Sequence, residues 1–202
     1  MADVTVSRAR PEDGERLAEA FADAFAEDPV FGWLLEGKPH RDRRLMRFFR
    51  ALLRDELRHS DHEIYLSEDG SGGAIWKGID RWKTPLSSIL RQSPGMALAF
   101  GPGNTRPWKV LGVMEKVHPR EPHYYLETLG TRRAVQGKGV GSAAMSPMLE
   151  RCDREGVPAY LESSNPRNIP LYARHGFEVR DPVPLPPGAP VLTPMWREPR
   201  PQ

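Results

Sequence analysis

The sequence predicts an α/β (α+β) domain, and three observations predict it. Short alternating or apolar strand-like runs are interleaved with longer stretches of helical period along the whole chain. Glu68-Asp69-Gly70-Ser71-Gly72-Gly73 lies between two apolar runs and reads as the turn of a β-hairpin. Gln136-Gly137-Lys138-Gly139-Val140-Gly141-Ser142 joins a strand-like run to an amphipathic helix.

Taken in order, Val4 to Arg8 alternates and predicts a first strand. Pro11-Glu12-Asp13-Gly14 opens a helix whose early acids suit its positive end. Leu17, Ala20, Phe21, Ala24 and Phe25 continue that helix up to Asp28-Pro29. Leu45, Phe48, Phe49, Leu52, Leu53 and Leu57 form the buried stripe of a helix over Arg41 to His59. The arginines between them (41, 43, 44, 47, 50 and 54) read as its solvated face. Ile64–Leu66 and Ala74–Trp76 are the hairpin strands. Two helices, Leu86–Phe100 and Pro107–Val117, form an insertion over about residues 80–120. Strand Tyr124–Leu129 and the glycine-rich turn lead to a helix from Gly139 to Glu155. Pro147 inside that helix predicts a kink near Ala143–Pro147, because it leaves the Ala143 carbonyl without a donor. Strand Pro158–Glu162, a short helix from Ile169 to His175 and strand Phe177–Val179 follow. A proline-rich loop, Asp181 to Pro190, precedes the final strand, Val191–Trp196. The whole, residues 1–202, reads as one domain.

Composition sets the outer bounds. Twenty-nine Lys+Arg against 27 Asp+Glu leave a formal charge of +2, which argues against a nucleic-acid binder driven by bulk charge. No apolar run approaches the roughly 20 residues that span a bilayer. The first residues lack the basic-then-apolar pattern of a secretory signal, so a cytoplasmic location is expected. The one cysteine, Cys152, gives no disulfide framework and reads as a small buried residue. The six histidines form no i,i+4 pair on one helix, so no metal site is expected. His59 and His62 read as surface residues. Phe31, Trp33, Trp76, Trp82 and Trp108 read as core, some of them as candidates to line an aromatic pocket.

The glycine-rich turn carries the chemistry. N–H groups at a helix start attract anionic oxygens, and glycines let that backbone approach phosphate closely. The spacing fails a Walker A loop at both ends. A dinucleotide fingerprint, Gly139-Val140-Gly141-Ser142-Ala143-Ala144 with Glu162 beyond it, fits better, but too little chain follows to complete a doubly wound sheet. Gln136, Gly139 and Gly141 instead match Q-x-x-G-x-G. Asn165 and Asn168 then precede Leu171-Tyr172-Ala173-Arg174-His175-Gly176-Phe177. In that order the two motifs resemble the GNAT superfamily of N-acetyltransferases. Within it the cofactor half is most similar to the puromycin N-acetyltransferases, a likeness that residues 30–120 do not share.

The resemblance implies a mixed, mostly antiparallel sheet splayed between its fourth and fifth strands, with helices on both faces. It implies acetyl-CoA as co-substrate, no metal, and a primary amine of a small molecule (an aminonucleoside or other antibiotic among them) or of a peptide as acceptor. The protein would act as a monomer or homodimer. Leu129, Gly130 and Thr131 would line the pantetheine arm. Gln136, Gly137, Lys138, Gly139, Val140, Gly141 and Ser142 would hold the pyrophosphate, and Asn165 and Asn168 would lie beside the cofactor. Tyr172 is the expected general acid for the departing sulfur. Glu127 is the candidate base, two residues before Leu129 and expected on the same side of the strand, with Glu162 in reserve. The alternatives are a catalytically silent coenzyme A-binding module of this fold and a nucleotide-binding α/β protein.

Overall fold

A computed structural model describes residues 4–200. Eight strands, β1 (Val6–Arg8), β2 (His62–Ser67), β3 (Gly72–Lys77), β4 (Tyr124–Thr131), β5 (Ala159–Ser163), β6 (Glu178–Val179), β7 (Val183–Pro184) and β8 (Val191–Arg197), form the sheet. Its order is β1-β2-β3-β4-β5-β8-β6, with β7 paired to β8. The helices are α1 (Gly14–Ala24), α2 (Pro29–Leu34), α3 (Arg41–Glu56), α4 (Leu86–Phe100), α5 (Arg106–Val117), α6 (Val140–Glu155) and α7 (Ile169–Arg174). Among the described residues, no helix is long and apolar enough to cross a membrane.

All neighbours pair antiparallel except β4 and β5, which run parallel. Their ladder holds only Tyr124↔Ala159 and Tyr125↔Tyr160. Beyond it the two strands part, so the backbone of each is left without a strand partner on that side. This is the splay that the motif order implies. β4 also bulges where it meets β3: Ile75 pairs with Thr128 and Trp76 with Leu126, so Glu127 is the extra residue.

One apolar cluster joins α1, α3, α4 and α5 to one face through Leu17, Phe21, Phe49, Ile75 and Phe100. The other joins α6 and α7 to the opposite face through Trp76, Leu126, Met145, Leu161 and Tyr172. Gly130 lets α1 lie close on β4, since a Cβ there would meet the Phe21 ring at 2.6 Å. Cys152 is buried in the second cluster, and burial pushes its thiol up to about 12.

Three expectations need correction. Asp28-Pro29 does not merely end a helix: the Asp28 carboxylate accepts Phe31 N–H at 2.9 Å and starts α2, with proline in the first turn. The proline-rich loop contains the short strand β7. The arginine face of α3 is only partly a solvated one. Arg44 donates to Ala99 O at 2.7 Å and Arg47 to Leu98 O at 3.4 Å, capping the end of α4, while Arg50 grips Glu15 of α1.

Asp55 pins α4 to α3, accepting from Arg91 Nε at 2.5 Å and Gln92 Nε2 at 3.1 Å. Burial alone would raise its pKa; Ser88, Arg91 and Gln92 outweigh that and bring it down to about 2. A depressed carboxylate stabilises the fold above its unfolded pKa and loses that contribution as pH falls through the folded value. Asp55→Asn is therefore expected to cost about 2 kcal/mol at pH 7. Urea unfolding will show that difference narrowing between about pH 4 and pH 2.

Candidate active site

Where β4 and β5 part, a cavity of about 300 Å³ opens, lined by Glu127 and Leu129 from β4, Glu162 from β5, Tyr172 from α7, and apolar side chains of α2 to α5. The bulge decides what points where. Leu126 and Leu129 pack toward α6, whereas Glu127 reaches the α3 side, so Glu127 and Leu129 do not share a side as the strand period alone predicts.

Glu127 ends a buried chain of charges. Its Oε1 lies 2.6 Å from Lys77 Nζ, which is 3.6 Å from Glu56 Oε1, and Glu56 Oε2 is 2.6 Å from His62 Nδ1. Burial would lower the Lys77 pKa, but the two carboxylates outweigh it and hold the ammonium above its usual range. Burial and the neighbouring Glu56 raise Glu127 despite Lys77. Glu127 Oε2 has no hydrogen-bond partner among the described residues. The carboxylate is thus anchored by one oxygen and free at the other. His62, read from sequence as a surface residue, is buried in this chain because β2 carries it under α3.

Glu162 faces Glu127 from the other strand, each two residues beyond the last ladder pair. Its side chain is 1% exposed, and neither oxygen has a hydrogen-bond partner among the described residues. His118 Nδ1 lies 3.5 Å from Oε1. His118 and His123 meet through their Nε2 atoms at 3.0 Å, and His123 Nδ1 donates to Glu121 O at 2.7 Å. That bond leaves His123 Nε2 as acceptor and His118 Nε2–H as donor. Burial holds His123 below its ordinary pKa, with His118 adding to the effect. Trp82 stacks on His118, ring centroids 3.9 Å apart. Burial and Glu162 push the pKa of Tyr125 up, so that hydroxyl keeps its proton.

Tyr172 reaches the cavity from the α6 side. Burial, then the charge of Asp28, raises its pKa, so it holds a proton at neutral pH. Asp28 itself is raised by burial, against hydrogen bonds from Ser164 Oγ at 2.5 Å and Phe31 N–H.

The glycine-rich turn begins where β4 ends. Gln136 Nε2 donates to Thr131 O at 3.2 Å and closes the turn, and Lys138 Nζ rests on Ala134 O at 3.2 Å. Arg133 ties the turn to Asp23 of α1 at 3.0 Å. Gly137 and Gly139 have φ of +77° and +94°, open only to glycine at little cost, with no protein atom within 4 Å of either Cβ position. The first intrahelical bond of α6 runs from Ala143 N to Gly139 O, so the N–H groups of Val140, Gly141 and Ser142 lie before it. Ser142 Oγ meets His175 Nε2 at 2.9 Å, locking α7 to the start of α6. Asn165 Oδ1 is turned onto its own segment, accepting Arg167 N–H at 3.1 Å, while Asn168 lines the cavity.

The acetyltransferase (GNAT) family profile matches residues 82–177. A solved structure from Corynebacterium glutamicum, described as a histone acetyltransferase HPA2 and related acetyltransferase, superposes with a TM-score of 0.70. It is 25% identical, with 98% of this chain and 97% of that one covered. The chain has the GNAT fold. An uncharacterized N-acetyltransferase of Schizosaccharomyces pombe is 28% identical over 194 residues, covering 86% of this chain and 74% of the relative. The PaiA N-acetyltransferase of Thermoplasma acidophilum, solved in complex with coenzyme A, superposes with a TM-score of 0.56 at 14% identity, covering 97% and 99% of the chains. The profile spans β4 to α7, the part that carries the splay and the turn, and there the chain is similar to GNAT acetyltransferases.

The spacing of the motifs pointed to Tyr172, Glu127, Glu162 and the turn, which the fold brings to one splay. It gave no sign of Lys77, Glu56 or the His118–His123 pair, which only the strand order brings near the site. Elsewhere, His59, Asp61 and His62 each place one ligand-type atom within 4.8 Å of the others, although His62 Nδ1 is held by Glu56.

Proposed function

We propose that the protein transfers the acetyl group of acetyl-CoA to the primary amine of a small molecule, in the cytoplasm. One observation carries this reading: an anchored carboxylate with a free oxygen and a protonated tyrosine open onto one cavity at the parting of β4 and β5. The turn offers glycine-flanked N–H groups to a pyrophosphate, with Lys138 at its rim. The open edge of β4 at Leu129, Gly130 and Thr131 suits an amide-bearing pantetheine arm, and Asn168 lines the cavity beside Leu129. The likeness to puromycin N-acetyltransferases covers this cofactor half and leaves the acceptor to be settled by the cavity.

An alkyl ammonium gives one proton to Glu127, directly or through water, and the freed nitrogen attacks the thioester carbon. The N–H near Leu129 meets the oxygen that gains charge. As the C–N bond forms and the C–S bond breaks, Tyr172 gives its proton to sulfur. The nitrogen's second proton leaves through the cavity and restores Tyr172. The net change is ammonium plus thioester to amide, thiol and one proton.

Tyr172→Phe is expected to lower kcat by about 10²-fold, the size of a lost proton transfer. Its Kd for coenzyme A should stay at the wild-type value. Wild-type turnover in that variant would remove Tyr172 from the reaction.

A further inference from the structure

We infer that the acceptor is a primary amine on an apolar, aryl or long-alkyl body, its ammonium received at Glu162 and its body laid along the aromatic wall of the cavity. This rests on the transferase reading above and names its substrate class.

The first support is Glu162. A carboxylate 1% exposed, with the Tyr125 and Tyr160 hydroxyls beside it but no hydrogen bond of good geometry to either oxygen among the described residues, is costly to bury unless a cation comes to it. His118 Nδ1 stands 3.5 Å away, beyond the ordinary length of a hydrogen bond. Lys77 is shared between Glu56 and Glu127 and is not free for Glu162. Two carboxylates on facing strands therefore present negative charge at the parting, and beside them Trp82 and Tyr125 offer aromatic surface. That combination suits an ammonium group.

The second support is the wall away from Glu162. Phe31, Phe48 and Phe100 pack on one another with ring centroids 5.1 to 6.4 Å apart, and Met96, Trp108 and Met114 complete the lining. Of the polar groups that line the cavity, Asp28 is engaged by Ser164 and Phe31 N–H and Gln92 by Asp55, while Lys83, Thr84 and Glu115 also border it; the stretch formed by Phe31, Phe48, Phe100, Met96 and Met114 brings no polar side chain of its own. A polyamine or amino sugar would bring further polar groups into this wall and leave them unpaired, at about 1–3 kcal/mol each. An apolar body loses nothing there. The cavity volume of about 300 Å³ suits a small molecule rather than a folded chain.

The test compares acetylation of tryptamine, 2-phenylethylamine and octylamine with that of spermidine and a lysine-containing peptide. We expect kcat/KM for the apolar amines to exceed that for spermidine and the peptide by about 100-fold. Glu162→Gln should raise the KM for tryptamine by about tenfold or more and leave the KM for acetyl-CoA unchanged. Trp108→Ala, at a half-exposed position where folding is not at risk, should raise the tryptamine KM by a smaller factor. Calorimetric titration of tryptamine into the coenzyme A complex reads the same preference without turnover. Preference for spermidine or the peptide, or an unchanged tryptamine KM in Glu162→Gln, overturns the assignment and leaves the transferase reading standing. Tryptamine binding with no transfer to any amine supports the pocket and overturns the transferase reading instead.

Discussion

Lys77→Met is expected to destabilise the protein by about 3–5 kcal/mol, because it leaves two buried carboxylates without their shared cation. Lys77 is 2% exposed and touches Glu127 at 2.6 Å and Glu56 at 3.6 Å. Methionine fills much the same volume, so the loss is electrostatic rather than a cavity. The two carboxylates raise the Lys77 pKa above its ordinary 10.5. A raised pKa gives stability that is present below the unfolded value and is lost as pH rises through the folded one. The deficit of the variant should therefore persist through the neutral range and fade only in strong alkali. Turnover should fall as well, since Glu127 without Lys77 rises further and carries a proton when it is needed as a base. Adding Glu127→Gln to Lys77→Met should recover part of the stability and none of the turnover. A loss below about 1 kcal/mol in the single variant, read by urea unfolding, would show that the chain of charges is not a unit.

The second large effect is expected at the turn. Gly139→Val should weaken coenzyme A binding by about 100-fold or more while the fold persists. Gly139 sits at φ +94° as the residue before α6, a conformation that a β-branched residue occupies only under strain of about 1–3 kcal/mol. No protein atom lies within 4 Å of the added Cβ, so the core is not disturbed. The strain is relieved by rotating the peptide planes that aim the N–H groups of Val140, Gly141 and Ser142. Calorimetry should show the lost affinity, and thermal melting only a small shift. Affinity within twofold of wild type would detach the turn from the cofactor.

The helices that carry clear apolar stripes, α1 and α3, are readable because 3.6-residue periodicity is a local property. The turn is readable for a similar reason, since glycine spacing states a backbone demand directly. Asp28-Pro29 reads in the sequence as the end of the first helix, and the fold shows it to cap α2 with proline in the first turn. The side on which Glu127 lies depends on a bulge, and strand alternation carries no sign of one extra residue. Lys77 and His62 look like ordinary polar strand residues; the ion chain through Glu56 buries them, and Glu56 lies on a different element. The same holds for His118 and His123, which become partners of Glu162 only because β5 lies beside β4. Local chemistry is legible in a sequence, whereas pairing across elements waits for the topology.

The central claim is that the parting of β4 and β5 joins an amine to an acyl group. It is tested most directly by following, in one reaction, free thiol released from acetyl-CoA and acetylated tryptamine by mass. The account predicts equal amounts of both, dependent on the amine and lost in Glu127→Gln. Thiol release that proceeds equally without amine, or coenzyme A binding with no amide formed from any amine offered, would contradict it.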